Sequence, residues 1–413
     1  MSTETSTNSS GAAVASASAR YEVELIAPET EDAAAVALFR LGVRLCQPGT
    51  PVARRVATLA NAPRDPRHVP IGELRLGEGV DWNAGKDAYL AGKAGHAFLR
   101  QGKLDVADTL EFVEDIDAAH GKISYHGQLI LHHNVLDLAH INATGNITIH
   151  GSIEAAEVHA GGDLHVHHGI CGKERGHCSA VGRVTARFAT NARVTSGGDM
   201  FFANEVVNSH LSCGGTLKAK NGTILSGHAV AVGGIQCHTA GSEVGVKTIL
   251  EAGLSPECYA AIQHTLTHAE QSRIKAQEIK SAVEPLLARA KSLTAAQKEK
   301  ATELLYAANE AESRANEALA ALAKFKTSLQ TCMDHRIVVS GLLHPGVIIR
   351  YPVAEALVTE PLRGVIEIAL CTKGSESHIV AIDRCRNTSR PLQSLPGADG
   401  RAEMAHKIMN GPG

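Results

Sequence analysis

Apolar residues recur in the middle of the chain with two periods at once. Within short stretches they alternate with polar residues, and the stretches themselves return about every 17 residues. Leu129 and Leu131 are followed in kind by Ile147 and Ile149, Leu164 and Val166, Val184 and Ala186, Met200 and Phe202, Leu217 and Ala219, and Ile235 and Cys237. A third column, Ile141, Val158, Cys178, Val194, Leu211 and Val230, stands before the turns. A fourth column of mostly small residues follows it: Ala143, Ala160, Ala180, Ser196, Cys213 and Val232. Turn glycines at 127, 145, 162, 182, 198, 215 and 234 are separated by 18, 17, 20, 16, 17 and 19 residues. Alternation of this kind predicts strands. A repeat this short cannot bury its apolar face alone, so neighbouring coils must stack into a parallel β-solenoid.

Spacing inside a coil adds a shape. Ile141, Ile147 and Ile153 are six apart, as are Val158, Leu164 and Ile170, and Val194, Met200 and Val206. Three short faces around a narrow, roughly triangular core follow. The corner glycines are expected to supply positive φ, which a side chain penalises. Spacing leaves handedness open, because left-handed hexapeptide helices also have about 18 residues per coil.

The flanks read differently. Residues 1–20 are rich in Ser, Thr and Ala and are expected as a disordered tail. Tyr21, Val23 and Leu25 alternate as a strand, and Ala33 to Arg40 read as a helix, which opens a small α/β module over 21–112. Its expected task is to cover the open strand edges of the first coil. The solenoid spans 113–254. Ser255-Pro256-Glu257 then starts a helix, with Ser as cap and Pro in the first turn, bent or broken at Pro285 and reaching about Lys291. Thr294 caps a second helix with a seam of Leu304, Ala308, Ala311, Ala315, Ala318, Leu322, Phe325 and Leu329. An antiparallel helical hairpin over 255–331 is the simplest arrangement. A returning β segment occupies 332–370, and 371–413 is expected to be mostly disordered.

From Gly121 to Gly253 the chain resembles the flagellar assembly protein A family. The resemblance rests on TGNITIHGSIEAAEVHAGGDLHV, HHGICGKERGHCSAVGRVTARFATNARVTSGGD and AGSEVGVKTILEAG, and continues through the helical segment into SGLLHPGVIIRYP. It covers roughly residues 55 to 370 in the same order of parts. It implies a mainly β chain built on a single-stranded right-handed parallel β-helix, related in shape to bactofilins. It carries over no catalytic residue, and the coils here hold many histidines.

Composition narrows the partners. Forty basic against 43 acidic residues give a net charge of −3, so no global field calls for nucleic acid. No apolar run reaches the length of a membrane span. The nine cysteines lack paired CxxC spacing, and two of them stand in inward columns, so reduced cytoplasmic thiols are expected.

Chemistry concentrates in histidine. Of 22 histidines, 14 lie between His120 and His238. His132, His150 and His167 each follow the second inward residue of a coil, which places them in one outward column. His165 and His167 share a strand face, and the long coil adds His168, Cys171, His177 and Cys178. One reading builds a zinc or copper site from His165, His167, His168, Cys171 and His177. The plainer one is a solvated ladder, with Cys178 in the core and Lys173-Glu174-Arg175 on a solvated loop. No cofactor and no catalytic residue are expected.

Three functions compete. The leading one is a non-enzymatic scaffold or assembly factor that binds protein partners, or copies of itself, through the hairpin or the solenoid ends. By the resemblance this is a role in flagellar assembly or in polar or cytoskeletal organisation. A hexapeptide acyltransferase needs a histidine at an intersubunit cleft, and the irregular 16–20 spacing opposes it. A carbohydrate-active β-helix needs a groove of acidic, basic and aromatic residues, and only 3% of this chain is aromatic.

Overall fold

The computed structural model describes residues 19–28, Phe39, 43–59, 68–100, 102–288, 294–373 and 376–395. The contacts divide the chain into two units. The first comprises the described residues up to Leu110 together with His120–Gln128. It holds two small sheets. In the larger, Ala19–Leu25 and Pro51–Leu59 pair antiparallel, and Val80–Asn83 and Ala88–Ala91 continue the sheet. In the smaller, Val43–Cys46, Gly95–Arg100 and Lys103–Ala107 run antiparallel in sequence. Val23, Cys46, Val52, Tyr89, Ala97 and Leu104, from both sheets, belong to the core of this unit. The helix expected over Ala33–Arg40 lies outside the described residues apart from Phe39, which is helical.

The second unit is the parallel solenoid, of about eight turns, with its helical insertion. Three inward columns run through it. On the first face, Ile141, Val158, Cys178, Val194, Leu211, Ala229, Leu250 and Ile349 are successive register partners. On the second, Leu129, Ile147, Leu164, Val184, Met200, Leu217, Ile235 and Ile337 are. On the third, Val135, Ile153, Ile170, Ala189, Val206, Ile224, Ala240 and Leu343 follow one another. All are buried, and each large aliphatic contributes about 1.5–3 kcal/mol by leaving water.

One rung departs from the expected columns. Leu211 pairs with Ala229 and Cys213 with Ala231, so Val230 and Val232 occupy the alternate positions, where Val230 is still buried and Val232 half-buried. The turn is registered on Gly233, whose amide donates to Gly215 O at 2.8 Å, and the adjacent Gly234 disguised this in the sequence.

The corners are built by side chains more than by unusual φ. Of the seven turn glycines, only Gly127 and Gly234 have positive φ, at 147° and 97°. Instead, an Asx oxygen accepts a backbone N–H from the next coil. Arg183 N donates to Asp163 Oδ1 and Thr216 N to Asp199 Oδ1, both at 2.7 Å. A Cβ at Gly182 or Gly215 would collide with those same oxygens. Close approach, not backbone conformation, therefore demands glycine here. At another corner Glu174, Asn191, Asn208 and Ser226 stack with φ between 45° and 61°. Asn208 Nδ2 donates to Asn191 Oδ1 at 2.7 Å, local bonding that eases the left-handed conformation.

Helix α1, Pro256–Leu287, and helix α2, Ala295–Met333, form the hairpin. Ser255 Oγ accepts the Cys258 amide at 3.2 Å. Thr294 and Gln297 cap reciprocally: Thr294 N donates to Gln297 Oε1 at 3.0 Å, and Gln297 N to Thr294 Oγ1 at 3.4 Å. Pro285 sits in the last turn of α1, where little backbone hydrogen bonding follows it. Lys280 Nζ bonds Glu312 Oε2 at 2.6 Å across the pair. The seam buries Ile262, Ala269, Ala276 and Val283 from α1 and Ala301, Ala308, Ala311, Ala315 and Leu322 from α2. Leu304 and Ala318 are half-buried, whereas Phe325 and Leu329 lie outside the described side chains.

The hairpin is inserted into a corner. Gly253 N still donates to Ala231 O, and Ile235 N to Arg336 O, so the coil resumes where it was interrupted. Leu254, Tyr259, Ile262, Leu266 and Leu322 cluster at its base, with Val232 and Val353 packed against them. Val232, displaced from the core column, is thus used by the hairpin.

After Val347–Tyr351 the stacking changes direction. Ala354–Leu357 pairs antiparallel with that strand, and Ile366–Lys373 pairs antiparallel with Ile337–Val339. Glu376–Asp383 and Thr388–Pro391 add two further antiparallel strands. Of the stretch expected as a tail from 371, the described residues as far as Ser394 are therefore mostly strand. Buried Ile379 and Ala381 hold it on the preceding strand, while 396–413 lie outside the described residues.

Candidate functional site

The outward surface of the solenoid carries its chemistry in columns, because parallel register stacks equivalent residues about one strand spacing apart. His132, His150 and His167 form the expected column. Their ring centroids lie 5.3 Å apart, nearly parallel at 10°, and then 4.4 Å apart at 39°. His165 meets His167 edge-on at 4.6 Å. Glu111 Oε2 lies 3.1 Å from His132 Nε2 at one end. The other end closes where the next coil is one residue shorter between its second and third faces, which brings Arg187 N to His168 O at 2.7 Å. His167 is held below the ordinary imidazole value, first by partial desolvation of its ring and then by the imidazoles of His165, His150 and His168.

The five candidate metal ligands fall on three faces of one coil. His165 and His167 belong to the second face, and His168 follows at the corner. Cys171 ends the third face at Gly169–Cys171, half-buried, its thiol pushed up by burial and then by Glu154. His177 begins the first face, with Nε2 3.3 Å from Thr195 Oγ1, and is shifted down by desolvation and Arg193. Among the described residues no three His, Cys, Asp or Glu side chains converge as metal ligands. Cys178 is in the core, where burial pushes its thiol up to about 12. Cys213 and Cys237 share that environment and that value. Every described cysteine is free.

The loop of the long coil is tied down as well as exposed. Lys173 Nζ reaches Asp137 Oδ1 at 2.8 Å and Glu154 Oε2 at 2.7 Å, two coils and one coil back. These contacts raise the lysine and lower Asp137.

A second polar column was not anticipated. His140, Glu157, His177, Arg193, His210 and His228 are successive register partners on the first face. His140 Nδ1 lies 2.9 Å from Glu157 Oε2, and His228 Nε2 lies 2.8 Å from the buried Glu251 Oε2. Each member directly precedes an inward residue of the first face, a pattern visible in the sequence once the columns are aligned. Beside it, Glu174, Asn191, Arg193, Asn208 and His210 line a cavity of about 340 Å³.

Among the described residues no helix is long and apolar enough to cross a membrane. Comparison with curated proteins and with solved structures gave no match. A family model described as the flagellar assembly protein A beta solenoid domain matches residues 108–372, a span that takes in the stacked coils, the inserted hairpin and the first antiparallel strands. The chain therefore belongs to the flagellar assembly protein A β-solenoid family.

Proposed function

We propose that the chain is a non-enzymatic assembly factor of the cytoplasm, acting in flagellar assembly or a related polar or cytoskeletal task. In this reading the solenoid is the rigid support and the hairpin is the element that meets protein partners. The observation that carries it is the insertion of a 32-residue and a 39-residue helix at one corner, after which parallel pairing resumes at Ile235–Ile337 and continues past one bulge to Ala240–Leu343. An element so placed can vary its outer surface while the β core stays intact. Ile274 and Tyr306 support the assignment, since they remain 58% and 77% exposed on the two arms and serve no core. The two histidine columns act as surface, and no reaction step is assigned to them.

The test compares the intact chain with a variant whose distal hairpin, Ile274 to Glu312, is replaced by a short Gly/Ser loop. Partners recovered from host cells by the intact chain should be lost by the trimmed one, and deletion of the gene should alter flagellar number or placement. Unchanged flagella, together with equal recovery of partners by both forms, would overturn the proposal.

A further inference from the structure

The C-terminal antiparallel strands build a cleft of about 350 Å³ lined by Arg363, Arg386 and Arg390, by Asp383, Thr388 and Ser389, and by apolar residues that include Leu362, Ile366 and Ala381. Arg363 enters from the short strand Leu362–Arg363, Arg386 from the turn after Asp383, and Arg390 from the strand Thr388–Pro391. Leu362, Ile366 and Ala381 are buried. The turn is fixed in place: Asp383 Oδ1 accepts the amides of Cys385 at 2.9 Å and Arg386 at 3.0 Å.

The charges around the cleft do not cancel. Arg386 stands 3.8 Å from Asp383 Oδ2 and is 80% exposed, and Arg390 Nη1 meets Glu360 Oε2 at 3.1 Å. Such exposed pairs are weak and give way readily to a better acceptor. Arg363 has no carboxylate partner among the described residues. Three planar cations facing one small space suit a tetrahedral dianion, which offers each of them an oxygen. The apolar lining residues suit an organic body attached to that dianion.

We infer that this cleft binds a phosphate monoester, its phosphoryl group held by Arg363, Arg386 and Arg390 and its organic part resting on Leu362 and Ile366. The inference is independent of the assembly role, and Arg386 and Arg390 lie beyond the stretch matched by the family model.

Calorimetric titration of the full chain with phenyl phosphate and with inorganic phosphate tests it. Phenyl phosphate should saturate with a dissociation constant below about 1 mM and bind several-fold more tightly than the bare anion. Arg363→Gln should weaken it about tenfold or more, the usual worth of one charge-assisted hydrogen bond. R363Q/R386Q/R390Q should abolish it while leaving the circular dichroism melt in place, because these side chains are outside the core. Equal affinity for the two probes would refute the monoester assignment. Absence of saturable binding up to about 10 mM, or retention of binding by the triple variant, would refute the site.

Discussion

His238 and Ser340 stand 102 residues apart in sequence, yet the Ser340 hydroxyl lies 3.1 Å from His238 Nδ1 across adjacent parallel strands. The whole hairpin is looped out between them, so the register of the last coils does not need the distal helices. It does need the base, where Leu254, Tyr259 and Ile262 pack with Val232 and Val353. Replacing Ile274 to Glu312 by a short loop should therefore leave the β spectrum and the solenoid melt intact. A cut at Glu257 and Thr331, which strips the base cluster, should lower the melting temperature. Equal melts for the two deletions would show that the base contributes nothing.

Leu164 is 1% exposed and sits between Ile147 and Val184 on the second face. Leu164→Ala should cost about 2–5 kcal/mol, and Leu164→Asp should abolish the cooperative melt by burying an unpaired charge. A Leu164→Asp chain melting within a degree or two of wild type would sink the register.

Gly215→Ala tests the corner device. Its Cβ would collide with Asp199 Oδ1 and displace the bond to Thr216 N, so a loss of about 1–3 kcal/mol is expected. Gly72 has open space and no positive φ, and Gly72→Ala should be nearly neutral. In an Asp199→Ala background the Gly215→Ala penalty should shrink, and denaturant titration of the four proteins gives the coupling. Full additivity would mean that backbone contacts alone set the cost.

His96 makes the first unit acid-sensitive. Its ring is 1% exposed and stacked on Tyr125 at 3.8 Å, and burial lowers it from 6.5 to about 4. Between those values the unfolded chain holds the extra proton, so stability is complete above pH 6.5 and falls as the pH drops toward 4. The full shift corresponds to about 3 kcal/mol. His96→Phe should flatten this slope in urea unfolding at pH 7 and pH 4.5, and a slope that survives the change would falsify the assignment.

The ladder should add a shallower slope of the same sign. His167 is depressed in the folded state, so acid again favours the chain that binds more protons. H132Q/H150Q/H167Q should reduce the pH dependence of the solenoid melt below about pH 6.5. An identical dependence in the triple variant would mean that the stacked rings do not sense one another.

Legibility followed the length scale of each signal. The coils were readable because an apolar residue buried at every rung repeats many times, and one misread turn at Gly233-Gly234 displaced only Val230 and Val232. The antiparallel strands after Lys373 repeat nothing, and their partner is the strand just before them, so alternation at Ile379 and Ala381 was the sole cue. The proposed metal ligands were close in sequence, but the twelve positions from His165 to His177 carry the chain around two corners, which scatters His165, Cys171 and His177 over three faces. The column from His140 to His228 shows the converse, since residues 88 positions apart in sequence share one line on the surface.

The reversal of strand direction after Tyr351 also sets a limit on polymerisation. A parallel solenoid that ended on a bare rung would offer its unpaired N–H and C=O groups to the first rung of another copy, and the rod could elongate without end. Here the last parallel strands spend those groups on Ala354–Leu357 and Ile366–Lys373. That end therefore offers no bare parallel rung on which the first coil of another copy could continue the core.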